Sequence, residues 1–147
     1  MDFGYIFTST SGRIPRSQWW AGVLILAAIS IVISLLLTYV LGIMFTTTGR
    51  IISLLVQLAL AYPFYAVSAK RFQDRGKPGS LAWILVILNI ISAVFALIGL
   101  TGNPFAPNAL DYILGILTLI VAIWYLIELG ILKGTPGANS YGPDPLA

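Results

Sequence analysis

Four long apolar stretches, separated by three short connections, make up most of this chain of 147 residues. They lie at about 19–45, 51–69, 81–100 and 110–132. A bilayer hydrocarbon core of roughly 30 Å is crossed by about 20 apolar residues of helix. Because lipid offers no partner for backbone polar groups, such stretches cross it as helices. The pattern predicts an all-α membrane protein whose single domain, residues 1–147, has four transmembrane helices joined by short loops.

The composition limits the chemistry that this chain can perform. Hydrophobic residues make up 59% of it and charged residues 9%, too little polar surface for a soluble fold. There is no Cys and no His, which removes disulfides, thiol nucleophiles, the commonest general base and the commonest metal ligand. We therefore expect a non-enzymatic protein with no catalytic residue, no metal site and no cofactor.

The basic residues predict the orientation in the membrane. Two lie before the first stretch, four in the second connection and one in the tail, whereas Arg50 alone lies in the first connection. Lys and Arg concentrate in the cytoplasmic loops of membrane proteins, so we expect both termini in the cytoplasm. Anionic headgroups beside the span ends explain the net charge of +3, and we expect membrane lipids, not nucleic acid, as partners.

This topology brings three polar segments to one membrane face: residues 12–16, 70–79 and the Gly- and Pro-rich tail 134–147. Arg71, Asp74 and Arg75 share one helix face if the second span continues that far. Guanidinium groups suit phosphate, so the sequence favours a site for an anionic lipid or phosphate group, formed by Arg13, Arg16, Arg71, Asp74 and Arg75. The alternative is that the basic residues only anchor the spans, which we favour for Lys70, Lys77 and Lys133.

Glu128 is the one acidic residue deep within an apolar stretch. Ionisable groups in a span are costly and usually face protein or water with a partner. We expect a salt bridge to Arg13, Arg16 or Arg71. The alternative is a role in proton coupling or in binding a substrate cation.

Three motifs resemble one known family. Residues 11–20, SGRIPRSQWW, resemble its G-R-x-x-R-x-x-[WFY]-W signature. Residues 70–80, KRFQDRGKPGS, are similar to its R-R-L-H-D-x-G-x-S-G-W loop, and residues 133–145, KGTPGANSYGPDP, to its G-x-x-G-x-N-x-Y-G-x-D-P ending. The family is a small bacterial inner-membrane family of unknown function typified by YhaH and YhaI. The resemblance implies a multi-pass protein of the bacterial inner (plasma) membrane and no particular activity.

Gln73 is the main departure from that family, which typically has His at this position. An amide can donate and accept hydrogen bonds but does not transfer protons at neutral pH, so Gln73 is expected to support the cluster through hydrogen bonds. In the tail, Asn139 can bond to nearby backbone groups. We expect the tail to fold over the arginines as an ordered flap anchored by Tyr141. A flexible polar tail is the alternative.

Three functions follow from these features. The first is a protein that binds an anionic lipid or phosphate at its cytoplasmic Arg/Asp cluster. The second is a small oligomeric transporter with Glu128, or Asn89 and Gln57, along its path. The third is a scaffold subunit of a membrane complex. The last two require a second copy of the chain or another membrane protein as partner.

Overall fold

A computed structural model describes residues 2–103 and 105–147 of the chain. Four helices are long and apolar enough to cross a membrane, Arg16–Val40, Thr47–Asp74, Gly79–Leu97 and Ala109–Ile131. The described residues contain no β-strand, and only an isolated bridge joins Asn139 and Gly142. The all-α prediction with four apolar spans is confirmed.

The helices follow one another with short connections. Helix α1 is Phe3–Thr8, and α2 is Arg16–Leu35 with a π turn, Leu36–Val40, at its end. Helix α3 is Thr47–Asp74 and contains Pro63. A 3₁₀ turn, Gly79–Ala82, leads into α4, Trp83–Leu97. Helix α5 is Ala109–Tyr125, and a second π turn, Leu126–Ile131, extends it.

Helix α3, the second predicted span, differs from its predicted bounds at both ends. The connection before it lies at 41–46 and not at 46–50, since the first span ends at Val40 instead of about residue 45. Helix α3 begins at Thr47 because the Thr46 hydroxyl accepts a hydrogen bond from the Gly49 amide and caps the helix. At its other end α3 continues to Asp74, five residues beyond the apolar stretch. The last connection, predicted at 101–108, includes Pro104, which lies outside the described residues.

The packed core lies at one end of the bundle, where α2 and α4 begin and α3 and α5 end. We call this end of the bundle the terminal end, because residues 2–15 and the tail lie there too. Its buried residues come from α1, α2, α3, α5, the 3₁₀ turn, the last π turn and the segment before α2, and are Ile6, Ile14, Trp19, Val67, Ala69, Phe72, Ala82, Tyr125 and Leu129. Elsewhere the spans expose many large apolar side chains, as lipid-facing helices do, including Leu24, Ile31, Val32, Leu55, Ile87, Ile113 and Ile116. Tertiary structure is therefore most tightly fixed where the predicted site lies.

Candidate functional site

The last turn of α3 is buried although it is highly charged. Lys70, Arg71 and Asp74 are 0%, 1% and 2% exposed. The segment before α2 and the tail after α5 surround this turn and supply its hydrogen-bond partners. Charged groups are rarely buried unless they are paired. These side chains therefore form the interior of a small polar core outside the apolar stretch.

An arginine–aspartate cluster, Arg13, Arg71 and Asp74, lies at the centre of this polar core. The Nε atom of Arg13 donates to Asp74 Oδ1 at 2.9 Å, and Arg71 Nη1 donates to the other carboxylate oxygen. All three side chains are at most 3% exposed. Because Asp74 accepts from both guanidinium groups, it orients them, and its charge is fully compensated.

Arg13 also fixes the tail. Its Nη2 donates to Thr135 O at 2.6 Å, and its Nη1 donates to Gly137 O at 2.6 Å and to Gly142 O at 3.3 Å. The Thr135 amide and hydroxyl in turn donate to Asp74 O, at 2.8 and 3.0 Å. One residue from the start of the chain thus connects the end of α3 with the end of the chain.

Gly134→Ala tests how closely the tail must approach the cluster. A Cβ atom at Gly134 would overlap the buried Asp74 carboxylate. Overpacking of a filled core typically costs about 1–3 kcal/mol, and we expect this loss in the free energy of unfolding in detergent. Gly115→Ala is the matched control, since a Cβ there meets nothing within 4 Å. Equal stability of the two variants would show that the tail does not pack against Asp74.

Five consecutive carbonyl groups at the end of α5 accept hydrogen bonds from side chains. Arg71 donates to Leu129 O and Leu132 O, at 2.8 and 2.6 Å. The other three acceptors and their donors are Gly130 with Trp20, Ile131 with Arg16, and Lys133 with Arg75. The last carbonyls of a helix have no partner within it and favour nearby cations. The arginines therefore cap α5 and its π turn.

Glu128 forms the expected salt bridge, but the predicted partners were wrong. Its Oε1 atom lies 3.0 Å from Arg75 Nε and 2.9 Å from Lys77 Nζ. The reason is that Arg13 and Arg71 are held by Asp74, and Arg16 reaches the α5 terminus. Glu128 is therefore a second ion-paired centre, next to the first and separate from it.

Lys70 is not the interfacial anchor that we predicted. Its ammonium group donates to the carbonyls of Tyr5 and Ile6, at 2.6 and 2.7 Å, and to that of Ser9. It also lies 4.7 Å from the centroid of the Tyr5 ring. Because all of these partners belong to α1 and the turn after it, Lys70 attaches the amino-terminal segment to α3.

The supporting residues from the prediction join the same network. Gln73 Nε2 donates to Thr10 O at 3.0 Å, and Asn139 Nδ2 donates to Gln73 O at 3.0 Å and to Thr135 Oγ1 at 2.8 Å. Tyr141 is half-buried, and its amide donates to Asn139 Oδ1 at 2.8 Å. The tail is thus attached through Arg13 and Asn139, whereas the described residues include no aromatic partner for the Tyr141 ring.

A cleft of about 410 Å³ opens beside the cluster, and we call it the interfacial cleft. Its lining residues are Pro15, Arg16, Arg71, Asp74, Lys133, Gly134, Thr135, Pro136, Asp144 and Leu146. Asp144 accepts from the amides of Leu146 and Gly137, at 3.0 and 2.9 Å. These bonds, with a smaller contribution from Arg13, keep the pKa of Asp144 below its usual value. As pH falls through that lowered pKa, Asp144 loses its charge and this support of the tail weakens.

The structure thus brings Arg13, Arg71 and Asp74 together. It pairs Arg75 with Glu128, and it places Arg16 at the edge of the interfacial cleft. Sequence reasoning missed the structural roles of five residues in this network: Lys70, Lys77, Trp20, Gly134 and Thr135. For Gly134 and Thr135 the family-like tail motif was the available signal. Among the described residues, no group of three or more metal-ligating side chains could hold a metal ion.

Comparison with known proteins bears on this arrangement. The family model described as "Protein of unknown function (DUF805)" matches residues 7–143. The chain belongs to this family. No curated protein and no solved structure matches the chain. The DUF805 match covers the first two motifs named above completely and the third as far as residue 143, and so confirms the resemblance.

Membership in DUF805 and the four apolar helices together indicate a multi-pass integral membrane protein. The family is uncharacterised, so its match assigns no activity.

Proposed function

We propose that this DUF805 protein is a non-enzymatic protein of the bacterial inner membrane, with both termini in the cytoplasm, that binds the phosphate of an anionic lipid in its interfacial cleft. The orientation rests on the distribution of Lys and Arg, seven of eight of which lie at the terminal end. Anionic lipids and cytoplasmic phosphates are both available at that face.

This proposal depends on the position and the free donors of two basic residues, Arg16 and Lys133. Both line the interfacial cleft and both are exposed. Arg16 uses Nη1 on Ile131 O at 2.7 Å, whereas its Nε and Nη2 atoms and the Lys133 ammonium have no partner among residues 2–103 and 105–147. Cations with free N–H donors at one cleft can bind a phosphate through charge-assisted hydrogen bonds.

The position and charge of the cleft fit a lipid headgroup. Arg16 is the first residue of α2, and Lys133 follows the last π turn of α5 by two residues, so both lie where the hydrocarbon ends. Asp74 is neutralised by Arg13 and Arg71, and Asp144 uses its oxygens on backbone amides. Among the lining residues, the three positive charges of Arg16, Arg71 and Lys133 exceed the two negative charges of Asp74 and Asp144, so the cleft carries a net positive charge.

The other predicted ligands of the anion have a different part in this proposal. The donors of Arg13 and Arg71 are engaged by Asp74 and by backbone carbonyls, and Arg75 by Glu128 and Lys133 O. Releasing them would uncap α5 and free the tail. In this proposal Arg71 and Asp74 form part of the wall of the cleft, and Arg16 and Lys133 contact the phosphate.

Native mass spectrometry of the full chain in mild detergent tests the proposal, with added phosphatidylglycerol as the probe. Juxtamembrane cations contribute about 1 kcal/mol each, so we expect Arg16→Gln with Lys133→Gln to weaken lipid binding roughly 30-fold. The control is Arg50→Gln with Lys77→Gln, which removes the same charge outside the cleft. Inorganic phosphate in place of lipid distinguishes a free anion from a headgroup.

Equal weakening in the two double variants would mean that net charge, and not the cleft, attracts the lipid. Unchanged binding in both would reduce Arg16 and Lys133 to span anchors. Competition by millimolar inorganic phosphate would assign the cleft to a soluble phosphate compound. The transporter and scaffold alternatives remain predictions, and the pairing of Glu128 with Arg75 and Lys77 gives no support to a coupling role for that carboxylate.

A further inference from the structure

A second cavity, of about 420 Å³, lies between α2, α3 and α4 in the apolar part of the bundle. We call it the mid-span cavity. Nine of its lining residues are apolar: Val23, Leu26, Ala27, Leu60, Ala61, Phe64, Leu85, Val86 and Ile90. The other three are Ser30, Gln57 and Asn89. An apolar wall with a few polar groups is typical of a small-molecule site, and the volume lies within the usual range of roughly 300–1,000 Å³.

The three polar residues lie deep in the membrane. At 1.5 Å per residue, Ser30 is roughly 21 Å from the start of α2, Gln57 roughly 25 Å from the end of α3, and Asn89 roughly 15 Å from the start of the third span. A hydrocarbon core is about 30 Å thick. The polar groups therefore lie well below the phosphate level, far from Arg16 and Lys133.

Their hydrogen bonds are incompletely satisfied within the chain. The Ser30 hydroxyl donates to Leu26 O at 2.9 Å, and Asn89 Nδ2 donates to Leu85 O at 2.8 Å. The Gln57 side-chain amide, the second N–H of Asn89 and the Asn89 carbonyl oxygen have no partner among the described residues. Polar groups without a hydrogen-bond partner are costly in hydrocarbon, because no water is present to replace the missing partner. A ligand with polar atoms of its own would remove that cost.

We propose that the mid-span cavity binds a membrane-dissolved small molecule with a carbonyl-bearing ring on an apolar body, the chemistry of an isoprenoid quinone. A ring carbonyl can accept from Gln57 Nε2 or from the remaining N–H of Asn89. A ring hydroxyl, as in the reduced quinol, can donate to the Asn89 carbonyl oxygen. The apolar walls would contact the ring faces and the first part of the chain. A phospholipid is less suitable, because its acyl chains cannot satisfy the amides and its headgroup stays at the interface.

Calorimetric titration of the purified full chain in mild detergent with decylubiquinone tests this proposal. Gln57→Leu and Asn89→Leu each remove one hydrogen-bonding group and keep a similar volume. Each is expected to weaken binding by roughly tenfold, the effect of one lost hydrogen bond. Apolar replacements within a span also favour its insertion, so loss of fold is not expected. Ser92→Ala on α4, whose hydroxyl bonds to Leu88 O at 2.9 Å outside the cavity, should bind as the wild type does.

A variant that fills the cavity gives an independent measurement. Ala61→Phe should abolish binding while leaving far-UV circular dichroism unchanged. Absence of saturable binding to the wild type, or equal affinity of all variants, would overturn the proposal. A loss of crosslinked dimer in Gln57→Leu or Asn89→Leu would also overturn it, by assigning the cavity to a second copy. None of these results depends on lipid binding in the interfacial cleft.

Discussion

Asp74→Ala is expected to lower the free energy of unfolding by about 3–5 kcal/mol, the usual cost of removing one partner from a buried ion pair. The variant leaves Arg13 and Arg71 buried, at 2% and 1% side-chain exposure, without their counterion. Because Arg13 also bonds to the tail, the loss should release residues 134–147. Unfolding in mixed detergent and SDS micelles, followed by circular dichroism, gives the stability, and limited proteolysis reports on the tail.

Asp144→Ala is the control for Asp74→Ala. It removes a carboxylate of the same size and charge, but one that lies towards solvent and accepts only from the amides of Gly137 and Leu146. Because that carboxylate is open to solvent, its loss should change the free energy of unfolding far less than the loss of Asp74 does. If the two variants unfold alike, or if the tail resists protease in Asp74→Ala, the arginine–aspartate cluster does not fix the tail.

Lys70→Met is expected to cost about 3 kcal/mol, because it leaves the buried carbonyl of Ile6 and the partly buried carbonyls of Tyr5 and Ser9 without their charged donor. The variant keeps the apolar stem of the side chain. We expect α1 and the turn after it to detach while the spans stay folded. Hydrogen exchange of the amides of residues 5–12 measures this detachment directly.

Lys77→Met is the matched control for Lys70→Met. Lys77 pairs with Glu128, but 41% of its side chain is exposed and Arg75 remains as a second partner for that carboxylate. Exposed ion pairs contribute about 0–1 kcal/mol, so little change is expected. Slow exchange of the amino-terminal amides in Lys70→Met would contradict the attachment inferred for this lysine.

The four spans could be predicted because membrane insertion depends on length and composition, which a sequence displays directly. The end of α3 could not be located in this way. Its apolar stretch stops at Ala69, and the next five residues stay helical because α1 and the tail bury them and supply their partners. Those contacts involve parts of the chain about 60 residues away, beyond the reach of any local pattern.

The sequence predicted which residues belong to the candidate site better than it predicted which of them pair with one another. Topology brings Arg13 to the end of α3, and helical spacing pairs Arg71 with Asp74. The partners of Glu128 depend on where the loop after α3 turns, and that turn uses Gly76 at a positive φ of 72°. The π turn that presents carbonyls to Arg16, Arg71 and Trp20 has no distinctive sequence pattern. Free and engaged arginines could therefore be told apart only in three dimensions.

The most direct measurement is the number of phosphatidylglycerol molecules retained per chain in native mass spectra, at a lipid concentration that saturates the wild type. Binding of a phosphate in the interfacial cleft predicts that Arg16→Gln with Lys133→Gln releases the lipid, while Arg50→Gln with Lys77→Gln retains it. Retention of the lipid by both double variants would contradict a headgroup site at Arg16 and Lys133.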